Sequence, residues 1–347
     1  MTRARRFLRP ALALALAARC DGPPSPVAIE PAAVLWAVAV SERAVGPVVL
    51  AGRVLVAEPG SMSALDPLTG ARAWSVDLGA PSRSVPGLTA RGDVAYGVDA
   101  RLVAARAGDG ATLWSLPDLP PGILAADAER LYLFGAGSIA AIEPGSGAIL
   151  WEAPVPQPYR LVALGGGFVC VAGDAILCYE GGRLLWSATP PDGSLLADLD
   201  VGSGRTVGST LSGELLAYDR RTGTLVWRRD LGAPIQATTA AVLAVYACSG
   251  GQDPGGAGTC VALEESSGIV LWRIDTRGGT SAPLAREEVV VVVDSRAIVV
   301  VDAGTGRVVR RIALPREGGF HLAQLAVSGG VLYARFGREV LALRLSP

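Results

Sequence analysis

The stretch 64–74, ALDPLTGARAW, and the stretch 217–227, AYDRRTGTLVW, share one pattern: Ala, an acid, Thr, Gly and Trp at the same spacing. The acid and the hydroxyl group can hold a tight turn by bonding to nearby backbone N–H groups. The Gly supplies the positive φ that closes the turn. The Trp on the following strand can then bury a large aromatic surface. The pattern therefore predicts a turn and a strand that docks its indole on a neighbouring unit.

This pattern recurs along almost the whole chain. Gly stands four residues before six of the seven Trp, and a further copy ends at Arg310, where the Trp is replaced. The spacing averages about 39 residues, close to the ~40–45 residues of a four-stranded propeller blade. Such a unit cannot cover its apolar face alone, so neighbouring units must stack. The predicted docking residues are Trp36, Trp74, Trp114, Trp151, Trp186, Trp227 and Trp272.

Between these anchors the chain reads as strands. Short β-branched runs alternate with Gly, Pro and Asp, and no stretch has a helical period, which indicates an all-β protein. We predict an eight-bladed β-propeller of four-stranded antiparallel blades over 32–345. The predicted blades cover 46–79, 84–118, 121–155, 159–189, 195–231, 235–275, 280–314 and 320–345. The last has three strands, and we expect the N-terminal strand 32–40 to join it and close the ring, which removes two exposed edges.

The first twenty residues predict export. Four Arg among residues 1–9 precede a short apolar run at 11–18, the order of a secretory signal and too short to span a bilayer. Cys20 stands where a bacterial lipoprotein box has its lipidated Cys, although Arg19 occupies a normally small position. The sequence leaves open lipidation of Cys20 and a soluble periplasmic protein cleaved near 15–17. We assign 1–20 to the signal and 21–31 to a linker, and expect a periplasmic protein that is anchored to the outer membrane if Cys20 is lipidated.

The remaining cysteines fit an exported protein. Cys170 and Cys178 flank a turn centred on Asp174, which places them opposite each other and within disulfide reach. Cys248 and Cys260 flank a Gly-rich segment, 249–259, that a second disulfide would clamp. The alternative is four buried free thiols. We expect the clamped loop to contribute to a partner surface, because an ordered loop loses less entropy on docking.

Composition excludes several classes of function. Half of the residues are hydrophobic, which is enough for a large core. The net charge is −1, and without a surplus of basic residues neither nucleic acid nor an anionic membrane is a predicted partner. The chain has no Lys, which removes Lys-based nucleophiles. His321 is the single His, so no His-based metal site is expected, and we interpret it as structural. Asp198 and Asp200 could hold a cation, but alternating acids on a strand are commonly solvent-facing.

The repeated Ala-x-Asp-x-x-Thr-Gly-x-x-x-Trp pattern resembles the tryptophan-docking motif of the quinoprotein (PQQ-type) propeller-repeat family. The resemblance covers residues 32–345 and implies the fold rather than the function, because the motif lies between blades. One branch of the family contains dehydrogenases that hold PQQ and Ca²⁺, often beside adjacent cysteines, which this chain lacks. Another branch is the BamB type, lipid-anchored periplasmic propellers beside the machinery that inserts outer-membrane barrels. Length, export signal, N-terminal Cys and blade number favour the second branch.

These observations lead to three hypotheses. The first is a non-catalytic periplasmic scaffold that binds protein partners, in outer-membrane protein assembly, with no cofactor and no catalytic or metal-binding residues. The second is a PQQ-dependent or other small-ligand-binding oxidoreductase. The third is an exported propeller that recognises an extracellular polymer or peptide. We favour the first, because the sequence does not supply a channel-facing cluster of Asp, Glu or Asn with Arg.

Overall fold

The computed structural model describes residues 29–345 except 32, 83, 118, 120–121, 136, 157–158, 242, 251–255, 279, 287 and 315–323. The described residues form eight antiparallel blades of four strands each, and one blade carries a short fifth strand. The first strands of successive blades contact one another, which places them innermost in the ring. Both Cys20 and His321 lie outside the described residues.

Each blade follows the chain from its inner to its outer strand. Blade 1 comprises β3 (Val45–Leu50), β4 (Arg53–Glu58), β5 (Ser61–Leu65) and β6 (Arg72–Asp77), and blade 2 comprises β7 (Gly87–Arg91), β8 (Val94–Val98), β9 (Leu102–Arg106) and β10 (Thr112–Leu116). Blade 3 comprises β11 (Ile123–Ala126), β12 (Leu131–Gly135), β13 (Ser138–Ile142) and β14 (Ile149–Pro154), and blade 4 comprises β15 (Leu161–Gly165), β16 (Phe168–Ala172), β17 (Ile176–Glu180) and β18 (Arg183–Ala188).

Blade 5 comprises β19 (Leu196–Val201), β20 (Arg205–Thr210), β21 (Glu214–Asp219) and β22 (Leu225–Asp230), and blade 6 comprises β23 (Ile235–Ala240), β24 (Ala244–Gly250), β25 (Ala257–Glu264) and β26 (Val270–Arg277). Blade 7 comprises β27 (Leu284–Arg286), β28 (Val289–Val293), β29 (Ala297–Asp302) and β30 (Val308–Ala313), and blade 8 comprises β31 (Gln324–Ser328), β32 (Val331–Phe336), β33 (Glu339–Arg344) and β2 (Val34–Ala39). The helix that the structure describes is one 3-10 turn at Pro191–Gly193.

The two ends of the chain close the ring, as the sequence predicted. Strand β2 pairs antiparallel with β33, so that the N-terminal segment completes blade 8. A further strand, β1 (Ile29–Glu30), pairs parallel with β30 at the outer edge of blade 7. The sequence analysis placed residues 29–30 in the linker. The pairing covers part of an edge that would otherwise present unpaired backbone groups.

Buried apolar residues form one cluster at each of the eight interfaces between neighbouring blades, as far as the described residues show. Val, Leu, Ile and Ala dominate them, and Tyr side chains fill much of the remaining volume. Because every blade is covered on both faces, the core is a ring of interfaces rather than a single centre.

The Trp residues dock between blades. Each of the seven indoles lies against the motif Gly of the next blade, so closely that a Cβ on that Gly would come within 2.6 to 3.0 Å of ring or Cβ atoms of the Trp. The Gly is therefore required both for its positive φ and for this close approach. Six indoles also donate their N–H to a backbone carbonyl of that turn, at 2.8 to 2.9 Å.

Arg310 stands where the eighth Trp would be, and the ring closure explains the replacement. In blade 8 the third and fourth strands belong to opposite ends of the chain, so no turn joins them and no motif Gly can receive an indole. The Arg310 guanidinium instead bonds to the Leu345 carbonyl and pairs with the Glu30 carboxylate. One side chain thereby joins blade 7 to both ends of the chain.

Both predicted cysteine pairs are joined in the structure. Cys170 and Cys178 lie opposite each other on β16 and β17, and Cys248 and Cys260 on β24 and β25, each pair with Cα atoms 4.1 Å apart. Cys178 pairs with Trp186 across the strands and so takes the position that Ala has in the motif. The predicted loop 249–259 is shorter than expected, because the ladder continues past the second disulfide to Gly250 and Gly258.

Candidate functional site

The interface between blades 3 and 4 departs from the repeat. In the other blades with a motif turn, the residue at the acid position stands four residues before the Gly, but in blade 4 Glu180 stands only two before Gly182. The turn between β17 and β18 is consequently a two-residue Gly181–Gly182 hairpin. It lacks the residue whose carbonyl accepts the indole N–H at other interfaces. Trp151 still lies against Gly182, where an added Cβ would meet its ring at 3.0 Å, but its buried Nε1 has no partner among the described residues.

A groove opens along this shortened interface. It encloses about 530 Å³ between the end of β14 and strands β17 and β18 of blade 4. A smaller cavity of about 190 Å³ adjoins it beside the 173–175 turn, between β16 and β17. Ala153, Pro154, Val155, Pro156, Leu177, Tyr179, Gly182 and Leu184 line the groove.

The groove is apolar, and no carboxylate, guanidinium or imidazole lies in its lining as the described residues define it. The Tyr179 hydroxyl donates to the Pro154 carbonyl at 3.1 Å, and burial raises the pKa of this phenol above its ordinary value, so it stays neutral. Leu184 at the mouth is 52% exposed, and its neighbour Leu185 is 42% exposed. Such a surface favours a neutral, apolar segment of another molecule.

Strand β18 adds an open hydrogen-bonding edge to the groove. In the part of the chain that the structure describes, β18 pairs on one side with β17 and has no strand on its other side. Its one charged residue, Arg183, lies at its start. The disulfide of blade 4 lies in the cluster that faces blade 5, so the bridge supports the blade from the side away from the groove. Blade 4 therefore offers a fixed edge beside an apolar recess.

The acids that the sequence offered as a cation pair have another role. Asp198 accepts hydrogen bonds from the backbone N–H and the hydroxyl of Thr238, at 2.8 and 3.1 Å, and Asp200 accepts from the N–H of Ala240 at 2.7 Å. Both acceptors connect the inner strand of blade 5 to that of blade 6. They are not solvent-facing, and burial raises the pKa of each carboxyl above its usual value.

Glu265 strengthens the same interface from the other side. Its carboxylate accepts from the Ser203 hydroxyl at 2.7 Å and the Gly204 N–H at 2.9 Å in the first turn of blade 5. Its backbone carbonyl accepts the Trp227 indole N–H at 2.9 Å. The 202–204 segment, Gly-Ser-Gly, therefore binds an internal carboxylate. Across the described ranges, no three His, Cys, Asp or Glu side chains gather as a metal-binding group.

The groove was not predicted from the sequence, in which Trp151 and Gly182 are ordinary members of the motif. The predicted partner surface was the loop 249–259, of which residues 251–255 lie outside the described residues. The available signal was the two-residue deletion between Glu180 and Gly182. That deletion predicts a missing turn, but the recess it leaves depends on how blades 3 and 4 pack.

Comparisons with known proteins agree on the repeat. The sequence matches the family described as "Outer membrane protein assembly factor BamB" over residues 17–131, 135–252 and 211–346. No curated protein matches the chain. In the described residues no helix is long and apolar enough to cross a membrane.

Solved structures share the architecture at low identity. BamB from Moraxella catarrhalis is 18% identical, with a TM-score of 0.62 over 90% of this chain and 99% of that one. The computationally designed Ika8 protein is 16% identical, with a TM-score of 0.70 over 86% and 94%. The quinohemoprotein alcohol dehydrogenase ADHIIG from Pseudomonas putida HK5 is 13% identical, with a TM-score of 0.60 over 91% and 76%. At these identities the structural likeness shows the fold alone.

Proposed function

We propose that this chain, which belongs to the family of the outer membrane protein assembly factor BamB, is a non-catalytic scaffold that binds protein partners in the cell envelope. We further propose that it acts in outer-membrane protein assembly, as the name of the family indicates. The family match over nearly the whole chain is the observation that carries this proposal. An exported protein with this role fits the predicted signal at 1–20, and a lipid on Cys20 would hold it at the membrane.

The groove between blades 3 and 4 is the surface that we assign to the partner. Its lining is neutral and apolar, it adjoins an unpaired strand edge, and the exposed Leu184 lies at its mouth. Contiguous apolar surface on a soluble domain commonly marks a protein interaction site. The edge of β18 can add backbone hydrogen bonds to an extended partner segment.

A photo-crosslinking residue at Leu184, in the full chain expressed in its own host, tests this function. The control is the same residue at Leu225, which occupies the equivalent position on blade 5 and is 38% exposed. We expect an adduct with a protein of the barrel-insertion machinery at Leu184 and an at least fivefold weaker one at Leu225. Adducts with this chain alone, or equal adducts at both positions, would refute the scaffold role.

Anchoring is tested separately. Labelling with a clickable palmitate analogue should mark the wild-type chain and not a Cys20→Ser variant. A soluble, unlabelled wild-type protein in the periplasm would contradict the anchor and leave the scaffold role standing.

An oxidoreductase is the second candidate, supported by the shared fold of the quinohemoprotein dehydrogenases. The resemblance implies PQQ with a Ca²⁺ held by carboxylate and amide groups. The described residues do not supply the carboxylates for that ion, because no three His, Cys, Asp or Glu side chains converge and Asp198 and Asp200 already bind the backbone of blade 6. Dialysis with PQQ and Ca²⁺ followed by an absorbance scan tests this candidate, and a retained quinone spectrum would favour it over the scaffold.

A further inference from the structure

Each docked Trp in this ring can make two contacts, one between its ring and a Gly and one between its N–H and a backbone carbonyl, and one interface has the first contact without the second. At six interfaces the indole ring lies on a Gly and its N–H also donates to a carbonyl. In each case the accepting carbonyl belongs to the residue that follows the motif's acid position. Pro144 provides it for Trp114, and Arg220 provides it for Trp186.

Trp151 keeps the first part and lacks the second. Its ring lies against Gly182, as at the other interfaces. The turn of blade 4 is two residues shorter than the others, and the residue whose carbonyl would accept the N–H is missing from it. The indole nitrogen is therefore buried without a partner in the described part of the chain. A buried donor without an acceptor costs free energy, and such groups in native proteins call for an explanation.

The Trp151 ring lies close to the groove, although Trp151 is not itself among the lining residues. Gly182, which contacts the Trp151 ring, also lines the groove, as does Ala153 two residues along β14. Residues two apart on a strand point to the same face, so Trp151 and Ala153 both face blade 4. The same deletion therefore leaves a recess and an unused hydrogen-bond donor at one place.

We propose that the partner completes blade 4: a neutral loop of the partner protein enters the groove, and one of its backbone carbonyls accepts the Trp151 indole N–H. The proposal rests on the proposed scaffold function. The neutral lining excludes a charged segment, since a charge there would lose its hydration without a counter-ion. The nitrogen is covered in the free chain, so binding of the partner carbonyl requires a local movement at this interface.

The probe for this contact is a neutral synthetic peptide, IQPGSGAI, capped at both ends, which copies residues 142–149 with Gln in place of Glu143; this is the turn of the chain that accepts the Trp114 N–H. We expect its binding to move the Trp151 indole signal downfield in a ¹H–¹⁵N spectrum, with the six paired indoles changing less. Binding that leaves the Trp151 signal in place would overturn the proposal.

Trp151→Phe keeps a ring and removes the N–H. We expect it to lower peptide affinity and the Leu184 adduct by about two- to tenfold, the equivalent of one hydrogen bond. Trp272→Phe, at the interface between blades 6 and 7, is the matched control, because it removes an N–H that already donates to the Ala303 carbonyl inside the molecule, so the adduct per folded molecule should stay unchanged. An unchanged adduct in Trp151→Phe refutes the proposal while the scaffold function stands. Absence of an adduct in the wild type refutes the function itself.

A turn graft gives the complementary test. Replacing residues 180–183 by the blade 3 turn, 143–148, restores an internal carbonyl for Trp151. We expect the grafted chain to unfold at a higher temperature than the wild type and to lose both the peptide and the Leu184 adduct. A grafted chain that folds and still forms the adduct would refute the proposal.

Discussion

The same repeat forms the interface between blades 5 and 6 and the one between blades 3 and 4, but the indole N–H is hydrogen-bonded only at the first. At the first, Trp227 lies on Gly268 and bonds to the Glu265 carbonyl, and carboxylates cross the interface in both directions. At the second, Trp151 lies on Gly182 with its N–H unpaired, and a groove remains. At the second interface apolar packing, the ring contact and the Tyr179–Pro154 hydrogen bond hold the two blades together, although the indole N–H has no acceptor among the described residues.

The proposed use of one interface for binding rests on this difference. Each interface contains an apolar cluster of its own, so blades 3 and 4 remain packed although one indole N–H lacks an acceptor among the described residues. The blade 5–blade 6 interface carries additional polar contacts, and the blade 3–blade 4 interface forgoes one.

Gly268→Ala should have the largest effect. A Cβ there would lie 2.7 Å from the Trp227 ring at a φ of +68°, so both overlap and backbone strain oppose it. We expect a loss of about 3 kcal/mol in the free energy of unfolding, measured by urea denaturation. Gly181→Ala, at a φ of +58° with no atom within 4 Å, should cost only about 1 kcal/mol. Equal costs would show that the close approach of the indole does not matter.

Glu265→Ala should follow. It leaves the Gly204 and Arg205 N–H groups without the carboxylate oxygen that accepts from them at a partly buried position. We expect a loss of about 2 kcal/mol in the same measurement. Glu152→Ala, at an exposed position on β14, is the control and should change stability by less than about 0.5 kcal/mol. If both variants unfold alike, the carboxylate of Glu265 does not join the two blades.

Trp227→Phe and Trp151→Phe compare the indole N–H groups directly. The first removes a hydrogen bond of 2.9 Å and leaves the Glu265 carbonyl unpaired, so we expect a loss about 1 kcal/mol larger than for the second. The Trp151 N–H has no acceptor to lose among the described residues. Urea denaturation of the two variants in parallel measures this difference in the free energy of unfolding. A larger loss of stability for Trp151→Phe would mean that the Trp151 N–H is paired in the free protein.

The pH dependence of the blade 5–blade 6 interface should give the smallest effect. Burial raises the pKa of Asp198 and Asp200 above the ordinary value of 3.8, so the folded chain takes up their protons at higher pH than the unfolded chain. Their contribution to stability is therefore fully present below pH 3.8 and is lost as the pH rises through their folded pKa values. We expect the wild type to gain stability relative to an Asp198→Asn, Asp200→Asn variant as the pH falls toward 4. A constant difference between the two proteins would contradict the shift.

Turn acids of the motif act in the opposite direction. Hydrogen bonds from the backbone and hydroxyl groups of the following Thr lower the pKa of Asp66, Asp219 and Asp302. The stability that these acids contribute is present above the pKa that they have in the unfolded chain, and it is lost as the pH falls through their lower pKa in the folded chain. The comparison with the double Asn variant is needed because these acids titrate in both proteins alike.

The fold could be predicted from the amino-acid sequence because the information that specifies it is local and repeated. The spacing of Trp and Gly predicted the blade size, and the orphan strand with Trp36 predicted how the ring closes. The turn chemistry of 173–175 and the register of two strands predicted that Cys170 and Cys178 face each other. Each of these inferences needs only residues that are neighbours along the chain or along one blade.

The contacts between blades, in contrast, became evident only in the folded molecule. There Asp198, Asp200 and Glu265 bind backbone groups of an adjacent blade, and Arg310 replaces a Trp because its partner is the junction of the two chain ends. Packing of blades 3 and 4 also turns a two-residue deletion before Gly182 into a groove with an unpaired indole. These contacts join residues 35 to 61 positions apart along the chain. Their geometry follows from how the twisted sheets pack against each other, which the pattern within one repeat does not contain.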